Sequence, residues 1–241
     1  MDGAADGAAE ATADGAVDRA ADFPTSDRER YLDTWAALHG GYDPRASRAV
    51  SGWLLIVHAL AAPLARRGVS PSTLTVLGPV VAWSAIGTVA AGGRWPLFAA
   101  VLVVASALVD GLDGAVAVMT GRVSTWGYVL DSLADRVADL AYVVALWFVG
   151  APGPVCAGAG ALVLLQEYAR ARAVAGGMSE IGVVTVAERP TRVLLTVCGL
   201  LAAGLVPHAA APAATVSAAA LAGFGLVGTV QLLAVVRRRL R

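Results

Sequence analysis

The sequence predicts an all-α membrane protein, a polytopic bundle of six transmembrane helices preceded by an interfacial helix. The composition indicates a membrane protein rather than an ordinary soluble domain, because 57% of the 241 residues are hydrophobic and only 15% are charged. Successive apolar stretches have the length of about 20 residues that a bilayer-spanning helix needs. The positions of the arginines then predict how these helices are oriented.

The region before the membrane domain is polar and has two parts. Residues 1–26 carry an acidic residue at about every fourth position, with Gly and Ala between them and few large apolar residues. Such a segment has little to bury, so we expect a disordered acidic cytosolic tail. Residues 27–47 form a polar juxtamembrane segment, and residues 48–241 form the membrane domain.

The membrane domain begins with a short apolar stretch. Residues 48–67 are apolar for about 15 residues between flanking arginines, which is short for a span and typical of an interfacial helix. Six longer stretches follow, at about 72–91, 95–118, 127–149, 153–174, 190–206 and 212–236. The fifth of these is the shortest and needs its flanking residues to complete a span.

Arginine placement predicts the orientation in the cell membrane. On one side, the only arginine is Arg94. The other side holds Arg66, Arg67, Arg122, Arg170, Arg172, Arg189, Arg192 and the C-terminal RRRLR run. The arginine-rich side is therefore expected to be cytosolic, with both termini and the active site on that side. The net charge is zero, and no nucleic-acid partner is expected.

Acidic residues inside apolar stretches are the most informative feature of the chain. They are Asp110, Asp113, Asp131 and Asp135. Spacings of three and four place each pair on one helical face, near the cytosolic ends of two adjacent spans. An aspartate at the centre of a membrane helix costs roughly 2.5–3.5 kcal/mol, so a compensating charge is expected. Carboxylate oxygens favour Mg²⁺ or Mn²⁺.

An alternative for these acids is a polar seam that pairs them with Arg122 and Arg136. Two arginines do not neutralise four acids, so the metal site is the stronger interpretation. Asp139 lies one helical turn beyond Asp135 and is expected to play a supporting role, either by extending the site or by pairing with Arg136.

The acids belong to a longer pattern, DGLDGAVAVMTGRVSTWGYVLDSLAD, over residues 110–135. It resembles the signature of the CDP-alcohol phosphatidyltransferase family, which is D, two residues, DG, two residues, AR, eight residues, G, three residues, D, three residues, D. Every spacing is kept and seven of the eight fixed positions agree. Val118 stands where the family usually has Arg. The resemblance covers about residues 46–237, without the tail.

The resemblance implies a reaction and a role for each matching residue. Asp110, Asp113, Asp131 and Asp135 would hold one or two divalent ions at the pyrophosphate of a CDP-linked lipid. Asp135 would be the catalytic base on an alcohol acceptor, and CMP would leave. Gly114, Ala117 and Gly127 would leave space for the cytidine nucleotide. Arg122, one turn after Val118, would replace the missing arginine if the helix continued that far.

The segment between the fourth and fifth spans is expected to bind the acceptor. Its RARA and ERPxR elements resemble those of members with phosphorylated acceptors, such as the synthases of phosphatidylglycerophosphate and phosphatidylinositol phosphate. Arg172 and Arg192 are the better candidates for the acceptor phosphate, with Arg170 beside them. Topology alone is the alternative reason for arginines here. Thr125 precedes Trp126, where inositol-phosphate members often carry a basic residue, which disfavours inositol phosphate.

Two other functions compete with the enzyme. The loss of the signature arginine at Val118 would suit a non-catalytic homologue that binds CDP-lipid or metal. Intramembrane carboxylates also occur in cation transporters, but these acids cluster at one end without a charged relay to the other side. The Gly- and Ala-rich last span allows close helix packing, and by resemblance a homodimer is expected.

Overall fold

The computed structural model describes residues 28–38, 43–178 and 185–240, and these residues form helices and connections without any strand. The helices are α1 Arg28–Leu38, α2 Arg48–Arg66, α3 Pro71–Val89, α4 Pro96–Thr120, α5 Thr125–Val149, α6 Gly153–Ala175, α7 Arg189–Leu205 and α8 Ala210–Arg239. Short 3₁₀ turns lie at Pro44–Ala46 and Pro207–Ala209. The all-α prediction is confirmed. The expected acidic tail, residues 1–26, lies outside the described residues.

Each apolar stretch of the sequence coincides with one helix. The expected interfacial helix is α2, and the six longer stretches are α3 to α8. By length and composition, three segments of the described chain can cross a membrane: Pro71–Val89, Pro96–Thr120 and Pro207–Arg239. The helix α7 has only 17 residues, and α5 and α6 carry charged side chains within their apolar sequence. The expected count of six spans therefore stays a prediction.

One compact unit consists of the described residues of Met1–Thr75 together with Leu108–Asp131. Its core is an apolar cluster in which Val57, Ala61 and Val116 are almost completely buried. Tyr31 and Leu32 of α1 are buried in the same cluster. Arg45 fixes the polar side of α1, because its guanidinium lies 2.6 Å from Glu29 and 2.9 Å from Asp33. The helix α1 is therefore held from both faces.

The other compact unit consists of Val76–Ala107 and the described residues of Ser132–Arg241. Tyr142, Leu146 and Leu200 are fully buried at its centre. The Tyr142 hydroxyl donates to Ser106 over 3.2 Å, and the Ser106 hydroxyl donates to the carbonyl of Gly78 over 2.9 Å. Buried hydroxyls are thus satisfied by each other and by the backbone, as a core of low polarity requires.

The connection from α4 to α5 is short, and hydrogen bonds cap both the end of α4 and the start of α5. Gly121 has a φ of +64°, and the Arg122 N–H donates to the carbonyl of Ala117 over 2.9 Å, which ends α4 at Thr120. At the start of α5, the Ser124 hydroxyl accepts the Gly127 N–H over 3.0 Å. Arg122 is exposed beyond the end of the helix. It does not lie one turn after Val118 on a continuing helix, as its proposed replacement role required.

Candidate active site

Three of the acidic side chains could together hold a metal ion. One carboxylate oxygen of Asp110 on α4 lies within 4.8 Å of one of Asp131 on α5. Asp135 follows Asp131 by one turn of the same helix and brings an oxygen within the same distance of it. Ligand oxygens bound to one ion at about 2.0–2.6 Å are at most about 5 Å apart, so this spacing suits a shared divalent cation.

The fourth predicted ligand, Asp113, is placed differently. Its side chain is buried, with 5% exposed, and one of its oxygens accepts the N–H of the adjacent Gly114. Its Oδ2 is buried and receives no well-formed hydrogen bond from the described residues. A buried carboxylate oxygen with unused hydrogen-bonding capacity favours a positive partner, so the donor set fits a hard cation. The predicted ligand role of Asp113 stays a prediction.

The candidate nucleotide residues differ in their surroundings. No described atom lies within 4 Å of the position that a Cβ at Gly114 would take, so this glycine borders open space beside Asp113. A Cβ at Gly127 would lie 3.1 Å from the Ser124 hydroxyl. A side chain at residue 127 would therefore crowd the Ser124 hydroxyl that caps α5. Ala117 is half-buried on α4 and accepts the hydrogen bond that ends this helix.

An alternating network of acids and arginines surrounds Asp135. Asp135 contacts Arg189 and also lies 3.2 Å from Arg136. Arg136 lies 2.8 Å from Glu167 on α6. The other pairs among the described residues are Asp139 with Arg192 at 3.3 Å, Asp139 with Arg136 at 3.5 Å, Glu188 with Arg170 at 2.8 Å and Glu167 with Arg170 at 3.9 Å.

Among the described residues, this network contains four acids and four arginines, which balance formally. Asp135 is therefore compensated by protein charges. Arg136 pairs with acids, as the alternative seam required, but the network also includes Arg170, Arg189 and Arg192 from later in the chain.

The predicted acceptor residues are distributed unevenly. Arg192 is buried, with 5% exposed, and its Nη1 donates to the carbonyl of Ala187 over 3.1 Å. Arg170 is half-buried beside Glu188. Arg172 is exposed and forms no ion pair with the described residues. The network therefore includes Arg192 and Arg170 but not Arg172.

Several residues of the network were not singled out as site residues from the sequence. They are Arg136, Glu167, Glu188 and Arg189. Helical spacing was a usable signal for some of them, because Arg136 with Asp139 and Glu167 with Arg170 are three residues apart. No local spacing predicts the contact of Arg189 with Asp135, because they lie on different helices.

Glu188 precedes α7 and lies outside the apolar helices. Burial by itself would raise the pKa of its carboxyl group. The hydrogen bond from the Thr185 N–H and the charge and hydrogen bond of Arg170 outweigh burial, so the pKa of Glu188 lies below its usual value. The ionised carboxylate is therefore the form that this part of the site stabilises.

Comparison with known proteins gives one consistent family. A family model described as CDP-alcohol phosphatidyltransferase matches residues 69–234. A phosphatidylinositol phosphate synthase of Cutibacterium acnes is 31% identical over 198 residues, which cover 78% of this chain and 95% of that protein. An archaetidylinositol phosphate synthase of Methanothermobacter thermautotrophicus is 34% identical over 168 residues, covering 68% and 84% respectively.

Solved structures of one protein are also similar. The crystal structure of Mycobacterium tuberculosis phosphatidylinositol phosphate synthase (PgsA1) with CDP-DAG bound has a TM-score of 0.61 and 26% identity, covering 75% of this chain and 93% of that one. The same protein in complex with manganese and citrate has a TM-score of 0.61 and 27% identity, covering 74% and 88%.

Proposed function

The chain belongs to the CDP-alcohol phosphatidyltransferase family, and from this premise we propose that it makes phosphatidylinositol phosphate from CDP-diacylglycerol and an inositol phosphate. As a member of the family it is a membrane enzyme of phospholipid synthesis that transfers a phosphatidyl group and releases CMP. The acceptor is the proposed part. It reverses the expectation drawn from Thr125, because the matched relatives make inositol-phosphate lipids.

One observation carries the choice of a phosphorylated acceptor. Arg170, Arg189 and Arg192 belong to the charge network that includes Asp135, although their charges are already balanced by acids. Guanidinium groups bind phosphate through paired hydrogen bonds, and they can exchange a carboxylate partner for a phosphate without leaving a buried charge unpaired. A neutral alcohol would give these arginines nothing to bind.

The residues supply the steps of an in-line substitution. The acceptor hydroxyl oxygen attacks the phosphorus of the phosphatidyl group, and a new P–O bond forms. The bond from that phosphorus to the oxygen bridging to the cytidine phosphate breaks, and CMP leaves with that oxygen. Asp135 accepts the hydroxyl proton. Arg136 and Arg189, which contact Asp135, hold its carboxylate in place for this transfer.

Asp110, Asp113 and Asp131, with Asp135, would hold the divalent metal, Mg²⁺ or Mn²⁺. When bound, the metal supplies positive charge that stabilises the pyrophosphate and the leaving CMP. Gly114 borders open space beside these acids, and we assign it with Ala117 and Gly127 to the cytidine side of the site. Val118 provides no cation there, so the charge compensation for the pyrophosphate would come from the metal that these acids hold.

The protein is an integral membrane protein, and we propose a multi-pass topology with both termini and the active site on the cytosolic side. The support is the arginine distribution in the sequence. We also propose a homodimer, supported by the small residues of the last helix. Mass measurement of the purified protein in detergent tests the dimer, and reporter fusions to each terminus test the orientation.

The function is tested by CMP release from purified protein in liposomes with CDP-diacylglycerol and Mg²⁺ or Mn²⁺. The acceptor panel is inositol phosphate, glycerol 3-phosphate, inositol and serine. We expect metal-dependent release with inositol phosphate alone, and a loss of at least about 100-fold in Asp131→Asn. Asp33→Asn, which changes an exposed acid on α1, is the matched control and keeps full activity. Release with glycerol 3-phosphate, unphosphorylated inositol or serine instead of inositol phosphate would overturn the proposed acceptor.

A further inference from the structure

The turn at residues 185–188, directly before α7, is fixed by hydrogen bonds to its neighbours, and we call it the clamp turn. Gln166 on α6 is 1% exposed, and its Nε2 donates to the Thr185 hydroxyl over 2.8 Å. Thr185 in turn donates from both its N–H and its hydroxyl to Oε1 of Glu188, each over 2.9 Å. A buried amide on α6 thus determines where this turn lies.

The last helix, α8, holds the clamp turn from another direction. The Val186 N–H donates to Oε1 of Gln231 over 3.1 Å. A Cβ added at Gly228 would lie 2.7 Å from the Cβ of Ala187 and 3.3 Å from the Thr185 hydroxyl. Two carbon atoms that are not bonded to each other do not approach to 2.7 Å. Residue 228 must therefore be glycine for the turn to lie where it does.

The clamp turn also contacts the arginines of the site. Oε1 of Glu188 accepts a hydrogen bond from Arg170 over 2.8 Å. The carbonyl of Ala187 accepts a hydrogen bond from Arg192 over 3.1 Å. Arg189 follows Glu188 directly in the chain and contacts Asp135. A shift of this turn would therefore move the guanidinium groups on which acceptor binding depends.

We propose that Gln166, Gly228 and Gln231 are positioning residues for the acceptor, because they dock the clamp turn that orients Arg170 and Arg192. They act through the turn and touch none of the acids that hold the metal. The inference rests on the proposed phosphorylated acceptor. It assigns to α6 and α8 a role in acceptor affinity that is separate from donor binding.

The test compares two glycine variants of the same helix. Gly228→Ala places a methyl group against Ala187, whereas Gly223→Ala places one where no described atom lies within 4 Å. We expect Gly228→Ala to raise the KM for inositol phosphate about tenfold, because small displacements of binding groups have large effects. The KM for CDP-diacylglycerol and the affinity for Mn²⁺ should stay within about twofold. Gly223→Ala should change none of these quantities.

A second-site variant makes the test specific. The double variant carries Ala187→Gly in addition to Gly228→Ala and so lacks the Cβ atom of residue 187 that the new methyl group would contact. We expect this double variant to have the wild-type KM for inositol phosphate. Gln231→Leu removes the hydrogen bond to Val186 at an exposed position and keeps the proposal testable if Gly228→Ala does not fold. We expect it, too, to raise only the acceptor KM.

The outcomes separate this inference from the proposed function. If the wild-type protein uses a different acceptor, the proposed function fails, and the variants are compared with the acceptor that it does use. Equal effects of Gly228→Ala and Gly223→Ala, a parallel rise in both KM values, or no recovery in the double variant would each overturn the positioning role.

Discussion

The guanidinium Nε of Arg192 lies 3.3 Å from the carboxylate of Asp139, and both side chains are almost completely buried. This pair joins the first turn of α7 to the middle of α5. Buried charges are expensive to desolvate, and they are tolerated where each has a close partner. Asp139 pairs with Arg136, as one of its two expected roles required, and also with Arg192, while its supporting role in the site stays a prediction.

Removing one member of this pair should be worse than removing both. We expect Asp139→Ala to lower the free energy of unfolding by about 3–5 kcal/mol, because Arg192 stays buried with less compensation. The double variant Asp139→Ala with Arg192→Ala, compared with each of its single variants, should recover part of this loss but not the acceptor affinity. Unfolding followed in detergent measures the effect, and strictly additive losses would show that the two residues are not coupled.

The stability that Glu188 contributes should depend on pH in a defined direction. Its pKa in the folded protein lies below the usual value of 4.5. The stabilisation is therefore complete above that value and is lost as the pH falls through the lower, folded pKa. We expect the difference in melting temperature between wild type and Glu188→Gln to be largest near neutral pH and to shrink below pH 4.5. A difference that does not vary with pH would contradict the ionic role.

Two further glycines differ in what surrounds them. A Cβ at Gly204 on α7 would lie 2.6 Å from Leu97, whereas a Cβ at Gly87 on α3 meets no described atom within 4 Å. We expect Gly204→Ala to lower the free energy of unfolding by about 1–3 kcal/mol through overpacking. Gly87→Ala should be neutral or stabilising by up to about 1 kcal/mol, because alanine favours the helix. Similar thermal stability of the two variants would argue against the close packing of α7.

Arg122 should be dispensable for the reaction. The helix α4 ends before it, at Thr120, and its side chain is exposed. We expect Arg122→Ala to keep the wild-type rate of CMP release and the wild-type KM for CDP-diacylglycerol within about twofold, since exposed side chains away from the site contribute little. A loss of donor affinity would instead show that Arg122 replaces the arginine missing at Val118.

The sequence predicted most of the fold because its signals were local. Apolar length predicted α2 to α8, and the spacing of Asp131 and Asp135 predicted one shared helical face. The helix α1 was not predicted, because its sequence has no strong apolar stripe; it is held by Arg45 and by the burial of Tyr31. Of the helices that carry the site, α5 and α6 are hard to identify as spans, since their charges lower their hydropathy.

The site was predicted only in part for a related reason. The acids lie within 26 residues of sequence, so a motif could reveal them. The contacts of Arg189 with Asp135 and of Gln166 with Thr185 join different segments. Which arginines contact the acids depends on how α6 and α7 pack against α5, and this packing cannot be predicted from local spacing. Sequence alone therefore ranked Arg172 with Arg192, although the first is exposed and the second is buried.

The capped connection between α4 and α5 restricts which changes of sequence this part of the chain tolerates. Gly121 ends one helix, the Arg122 N–H closes its last turn, and Ser124 caps the next helix, so three of the four residues between Thr120 and Thr125 have a fixed role. An insertion here would uncap one helix, and an insertion inside α5 would rotate the remainder of that helix by about 100° per residue. Mutation can therefore replace a residue of the motif, as at Val118, far more easily than it can change the number of residues between the acids.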